Sequence, residues 1–467
     1  MNSGPRRLFA GWGRATWTSA HVAAPANQAE LEHLVFEGLE GFGRFVPRGL
    51  GRAYGDAAQC AGGLVIDCRG LRSVIDVDHE RAEVRASAGI SFDELLEFIV
   101  PQGYFLPVTP GTRFVTLGGA IASDVHGKNH HVDGSLGAHL KRLCLVTPTG
   151  VLECGPQVRR EEFEATCGGM GMTGVVVEAT LRLLPIESSW VVVDTERASD
   201  LDACLSLLSA DPAKYRYSVA WVDGLAQGKR LGRSVLTRAN HASVAELPER
   251  WQRQPISYRA PRVVKVPFAP PFSFLNPATV RAFNEMWFRK APRKRERRLE
   301  QFASFFYPLD GVGNWNLLYG PRGFTQYQFV VPFGAEQALE KVLEKLSTGG
   351  VASFLAVLKS FGPAGTGPLS FPTEGWTLAL DIPLATPGLP QLLDELDLLV
   401  AGAGGRIYFS KDARMRPELV QAMYPRLAEW QAVQGRLDPT GLLVSDLALR
   451  LGLTRRESLR HPETSDK

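Results

Sequence analysis

The stretch PRGLGRAYGDA, Pro47–Ala57, sets three glycines and two arginines in the eight residues from Arg48 to Gly55. Gly49 and Gly51 carry no side chain, so successive backbone N–H groups can converge on one anion, and Arg48 and Arg52 add charge. Read alone, an ordinary surface turn explains the same residues. A second loop, PGTRFVTLGGAIASD (Pro110–Asp124), changes the balance. Gly111, Gly118 and Gly119 permit close backbone approach there, while Thr112, Thr116 and Ser123 supply hydroxyls. Two such loops flanking a β–β–α unit describe a long phosphorylated cofactor threaded between subdomains.

Working outward, 27–39 reads as a helix capped by Asn27, with apolar Leu31, Leu34, Val35 and Leu39. GLVIDC, SVIDVD and EVRASAG read as strands. SFDELLEFIV opens with a capping box, Ser91 with Glu94, and is a helix. KRLCLVT and GVLEC follow as strands, then a helix near 160–166. GMGMTG (Gly169–Gly174) matches GxGxxG in letters. The dinucleotide fingerprint needs a strand before it and a helix after it, whereas here the strand VVVEATLRLLP follows. A tight turn beside a ligand is the better reading. A boundary is placed near Pro185.

Beyond it, WVVVDTE and YRYSVAWVD read as strands around a helix at 201–208. A proline- and aromatic-rich stretch at 259–277 has no helical period and reads as an irregular lid. With the basic run RKAPRKRERR (Arg289–Arg298) it is taken as a flexible loop over about 259–300. The remainder alternates as strand, helix, strand, strand, helix, strand, the ferredoxin-like split unit. RPELVQAMYPRLAEWQAV reads as one closing helix. The fold class is therefore α+β.

DVHGKNHH (Asp124–His131) is the chain's densest histidine cluster. A zinc reading would set His126 and His130 one helical turn apart, but Gly127 and Asn129 make a poor helix and no cysteine lies nearby. No metal is assigned. Hydrogen-bonded loop histidines and a site beside a cofactor both remain open. The six cysteines lack a CxxC pair and read as reduced, packed thiols. A net charge of +3 on 467 residues is too small for a nucleic-acid protein. Arg6-Arg7 raises a twin-arginine signal, but Gly11, Gly13 and Arg14 interrupt the apolar segment it needs. No run is long enough to span a bilayer.

PRGLGRAYGD, the second loop with HGKNHH, and GGMGMTG occur in the order and spacing of FAD-dependent oxidases of the vanillyl-alcohol oxidase type. FTQYQFVVP, SFLAVLKSFGP, PLSFPTEGW, YFSKDAR and DPTGLLVSD narrow the match. Over Gly11 to about Leu451 the chain resembles the oxidase subunits of decaprenylphosphoryl-ribose epimerases. The resemblance implies a split FAD-binding domain, 1–188 and 406–467, around a substrate domain of antiparallel sheet, 189–405.

It implies that Pro47, Arg48, Gly49, Leu50, Gly51, Arg52, Ala53, Tyr54, Gly55, Asp56 and Ala57 hold FAD. Gly111, Thr116, Leu117, Gly118, Gly119, Ser123, Asp124, Val125 and His126 would line the rest, with Val176 and Tyr408 close by. FAD would be held non-covalently. The implied reaction oxidises the ribose 2′-hydroxyl of a polyprenyl-phosphoryl ribose to a ketone. Lys411 would orient that hydroxyl or accept its proton, and His126 would assist. Lys128, Trp221, Gln328, Lys359, Thr377 and Ala379 would line the substrate cleft. Ala379 stands where mycobacterial members carry cysteine, Thr377 where they carry asparagine, and Val219 where they carry serine. These changes touch inhibitor response and sugar specificity.

The implied partners are an NAD(P)H-dependent ketoreductase and a quinone-type electron acceptor. Peripheral contact with the inner membrane through the basic run and its apolar neighbours is a further expectation, on the cytoplasmic or the periplasmic face. The rival readings are a soluble alditol or aldonolactone oxidase of the same fold, a flavin-free binding subunit and, more remotely, a zinc hydrolase.

Overall fold

The computed structural model describes residues 5–454, apart from 40, 259–262 and 272–274. A four-stranded sheet comes first, in the order Arg6–Ala10, Trp17–Ala23, Leu64–Asp67, Phe45–Arg48. Its first pair is antiparallel and the others parallel. Parallel neighbours need a crossover, here the helix Gln28–Phe36, whose Asn27 cap accepts from the Glu30 N–H. The phosphate-loop candidate begins at the C-terminal end of Phe45–Arg48, where ligands of such sheets collect.

A five-stranded sheet follows, built from Val74–Asp78, Glu83–Ser87, Val175–Arg182, Leu140–Thr147 and Gly150–Cys154 in that spatial order. The helix Phe92–Ile99 carries the expected Ser91–Glu94 capping box. GMGMTG lies between the helix Arg160–Thr166 and the strand Val175–Arg182, with Met170, Gly171 and Gly174 at positive φ. It is a turn. Its start packs on the second loop, since Gly168 and Met170 donate to the Ile121 and Ala122 carbonyls.

The eight-stranded antiparallel sheet between 190 and 407 contains two copies of one topology. In the first, Trp190–Ala198, helix Leu201–Ser209, Tyr217–Val222, Ser234–His241, helix Pro277–Lys290 and Glu296–Gln301 run β-α-β-β-α-β. In the second, Phe324–Val331, helix Glu336–Thr348, Ala356–Phe361, Gly375–Pro383, helix Leu389–Gly402 and Arg406–Ile407 do the same. In each, the fourth strand flanks the first and the third lies between the first and second. The copies join through their second strands, with Ala220 opposite Leu358 and Trp221 opposite Val357.

Two sequence expectations are corrected. The span 259–300 is not one flexible loop. Asn276 caps a 14-residue helix, Pro277–Lys290, and Arg297 and Arg298 lie in an edge strand. Residues 259–262 and 272–274 of the expected lid fall outside the described residues. The closing helix is also broken. Val420–Met423 ends at Tyr424, and a new helix begins at Leu427, because Pro425 cannot continue the first.

The chain end returns to the first sheet. Leu443 bridges Phe45, Asp446 accepts from the Ala61 N–H, and the buried Trp430 indole donates to the Ala165 carbonyl. Among the described residues no helix is long and apolar enough to cross a membrane.

Candidate active site

In the Pro47–Ala57 loop the N–H groups of Leu50, Gly51, Arg52 and Ala53 have no partner among the described residues. Four consecutive unpaired amides form a ready anion site. The loop cannot widen to protect them. A Cβ on Gly49 would sit 2.1 Å from Thr116 Oγ1, and one on Gly55 2.0 Å from the Asp412 carbonyl. Gly51 has φ +64 and lies against the Arg48 guanidinium.

Two side chains expected to face the cofactor are engaged elsewhere. Arg48 donates to the Ala10 and Ala58 carbonyls, both at 2.8 Å, and braces the loop from within. The Asp56 carboxylate takes a paired contact from Arg450, which also reaches Asp412. Arg52 lies 3.8 Å over the Trp12 ring.

In the second loop the amides of Leu117, Gly118 and Gly119 are occupied. Leu117 donates to Ile90, Gly118 to Ala88 and Gly119 to its Thr116 cap. Gly118 thus serves close packing, with Ala88 3.2 Å from its would-be Cβ, whereas the space above Gly111 is open. Asp124 is held at φ +39, and its buried carboxylate accepts from Ser135, Ser370 and the Gly137 N–H. These bonds fix its side chain within the second loop and against Ser370. Ser123 accepts from the Tyr408 hydroxyl at 2.7 Å, and Leu117 and Val125 are buried beside it. Val176 lies opposite Leu145 in the five-stranded sheet.

The opposite wall is one face of the large sheet. Side chains alternate along strands, so register decides which ones share a face. Gln328, Ala379, Val357 and Trp221 line up across four strands. Thr377 pairs with Lys359, and Gln326 with Asp381. Lys359 and Ala379 keep partial exposure, while Gln328 and Thr377 are buried. The Trp221 indole donates to the Phe354 carbonyl, which fixes it as a wall.

His126, on the second loop, meets this face. Its Nε2 lies 2.9 Å from the Gln328 amide nitrogen. The same nitrogen donates to Thr377, whose hydroxyl donates to the Phe329 carbonyl. The amide therefore donates to His126, Nε2 accepts, and Nδ1 bears the hydrogen. That Nδ1 is buried without a partner among the described residues. Burial first, then the nearby Lys359, His130 and Lys411, hold the ring well below the usual histidine range, so it is neutral.

Three lysines lie near one another around this face. Lys128 donates to the Phe305 and Phe306 carbonyls, and burial and Lys359 bring it down to about 7. Among the described residues Lys359 has no hydrogen-bond acceptor, and burial lowers it to about 8. The Lys411 ammonium lies 4.0 Å over the Tyr54 ring. It too is lowered to about 7, by burial and Lys359, against an opposing pull from Asp381.

Asp381 and Gln326 are the groups that sequence reasoning missed. Gln326 donates to Asp381 at 2.5 Å and to the Tyr54 hydroxyl at 3.2 Å. Two glutamines in FTQYQFVV, a strand buried at every position, are the signal that could have found them. His130 and His131, left without a task, are structural. His130 Nδ1 accepts from the Gly362 N–H, and His131 Nε2 donates to the Tyr215 carbonyl. Among the described residues no group of three or more His, Cys, Asp or Glu could hold a metal.

Residues 19–155, which carry both loops, match the family described as FAD binding domain. The protein is an FAD-dependent oxidoreductase of the vanillyl-alcohol oxidase type. The chain is 39% identical over 454 residues, 96% of its length and 98% of the relative's, to the decaprenylphosphoryl-β-D-ribose oxidase of Mycolicibacterium smegmatis. It belongs to that oxidase family. An uncharacterised protein of Streptomyces coelicolor is 38% identical over 78% of this chain and all of its own. L-gulonolactone oxidase of Scyliorhinus torazame is 33% identical over 29% of this chain and 31% of its own. The residues present fit FAD. Its pyrophosphate is an anion that four unpaired amides can bind, and the open space at Gly111 admits a bulky group.

Proposed function

We propose that the protein oxidises the 2′-hydroxyl of a polyprenyl-phosphoryl-β-D-ribose to the 2′-ketone, the first half of an epimerisation towards the arabinose lipid donor. The observation that carries this is a geometric one: Lys411 lies over the Tyr54 ring, and His126 on the second loop meets Gln328 on the sheet face that also presents Lys359, Thr377 and Ala379. When bound, FAD supplies the hydride acceptor. Leu50–Ala53 would hold its pyrophosphate, and Thr116, Ser123 and His126 would border the rest.

The hydroxyl must also lose a proton. Lys411, lowered to about 7, is partly amine near neutrality and accepts it. His126 Nδ1–H, without a partner, donates to the sugar and orients it. Lys359 and Lys128 offer positive charge to the phosphodiester, while Gln328, Thr377, Ala379 and Trp221 shape the sugar's surroundings. The two smaller sheets with the returning chain end support an FAD-binding part of 1–188 and 406–467. The large sheet supports a substrate part of 189–405, carried two residues further by its edge strand Arg406–Ile407.

A ketoreductase using NAD(P)H would complete the epimerisation, and a quinone-type acceptor would reoxidise the flavin. The lipid suits peripheral membrane contact. Val264 (73% exposed), Phe268 (69%) and Met286 (60%) fall in the same stretch of sequence as Lys290, Arg293 and Lys294. A soluble aldonolactone oxidase is the weaker reading, because the match to such an enzyme covers under a third of the chain. Incubation of the purified holoprotein with polyprenyl-phosphoryl ribose, followed by mass analysis of the lipid, tests the reading. Loss of two hydrogens is expected. An unchanged lipid, with turnover of L-gulonolactone, would replace it with the rival.

A further inference from the structure

We infer that Asp381 is a positioning residue, the buried counter-charge that sets the proton state of Lys411. Asp381 is fully buried and takes part in no ion pair among the described residues. Its hydrogen-bond donors are both neutral: Gln326 at 2.5 Å on one oxygen and the Tyr319 hydroxyl at 3.4 Å on the other. A lone buried carboxylate is costly unless a cation shares its surroundings. Lys411 is that cation. Gln326 links the carboxylate to the Tyr54 hydroxyl, and the Tyr54 ring carries the ammonium at 4.0 Å.

The charged and titratable groups around the pair are few. Lys359 and His126 face Lys411 from the sheet and the second loop, Arg52 faces Tyr54, and Tyr319 faces Asp381. Lys359, the nearby cation, opposes the Lys411 ammonium, and Asp381 is the acid that offsets it. Burial also raises Asp381 itself, to about 7, so the two groups exchange charge in the same pH range and titrate as a coupled pair.

The inference rests on the reading of Lys411 as the group at the reacting hydroxyl, and two measurements separate them. The first is the NMR titration of Lys411, labelled with 13C at Cε and assigned by its loss in Lys411→Met, in the holoprotein without substrate. Asp381→Asn removes the negative charge that favours the ammonium, so the Lys411 midpoint should fall by about one pH unit. Tyr319→Phe, which deletes one donor to the carboxylate, should lower it by less in the same direction. The second is the acid limb of the kcat/KM profile, which should move to lower pH with the midpoint.

A carboxylate that only packs the strand would lower kcat without moving the midpoint. An unchanged Lys411 titration in both variants overturns the inference. A shifted titration with an unmoved limb supports the coupling and instead refutes Lys411 as proton acceptor. Native-like flavin content in Tyr319→Phe shows that the site has folded.

Discussion

Gly49 shows how one missing side chain fixes a site. Its would-be Cβ falls on Thr116 Oγ1, so Gly49→Ala must separate the two loops that border the cofactor. Overpacking of this kind costs about 1–3 kcal/mol. The expected outcome is a lower flavin-to-protein ratio after purification, measured by absorbance, with unchanged circular dichroism. The buried bases give a pH signature. Lys128 and Lys411 sit near 7 in the fold and near 10.5 unfolded, so the unfolded chain binds more protons between those values. Stability without substrate should therefore rise from about pH 7 towards 10, and Lys128→Met should flatten that rise in thermal melts. His130, lowered to about 3, works in the acid range, where its contribution is lost as pH falls from about 6.5 to 3. The glycine loops and Lys411 were legible because their spacing along the chain is local. Asp381 was not, since its meaning depends on Gln326, 55 residues earlier, and on a cross-strand register that no linear reading supplies.

At the scale of elements, the clamp between chain end and phosphate loop is the least local feature. Arg450 joins Asp56 and Asp412, two buried carboxylates from distant segments. Arg450→Met leaves both without their cation. A loss of about 3 kcal/mol is expected in denaturant unfolding, together with faster release of flavin. The second βαββαβ unit could be read from sequence because its helices have clear apolar faces, as in Glu336–Thr348 with Leu339, Val342, Leu343 and Leu346 buried. The first could not. Its second helix, Pro277–Lys290, buries only Val280 and Asn284, and it runs into the basic stretch that disguised the edge strand. The break at Tyr424 was hidden by an apolar period that continues on both sides of Pro425.

For the whole molecule, exposed Val264, Phe268 and Met286 share one region of chain with the basic run Arg289–Arg298. Among the described residues Arg289, Arg295, Arg297 and Arg298 are paired with Glu285, Asp194, Glu246 and Glu296, which leaves Lys290, Arg293 and Lys294 as the charges available to an anionic surface. Replacing these three with glutamine should weaken binding to phosphatidylglycerol vesicles in co-sedimentation, and added salt should do the same to the native protein. Equal binding by both proteins would remove the membrane contact from the proposal. The central claim is that Lys411 takes the proton of a polyprenyl-phosphoryl ribose as the flavin is reduced. Its most direct test mixes the holoprotein with that lipid without oxygen and follows the flavin absorption band in the native protein and in Lys411→Met. The native band should bleach as the 2′-keto lipid appears, and the flavin-loaded variant should bleach roughly a hundredfold more slowly or not at all. A native band that stays unbleached, or a variant that bleaches at the native rate, would contradict it.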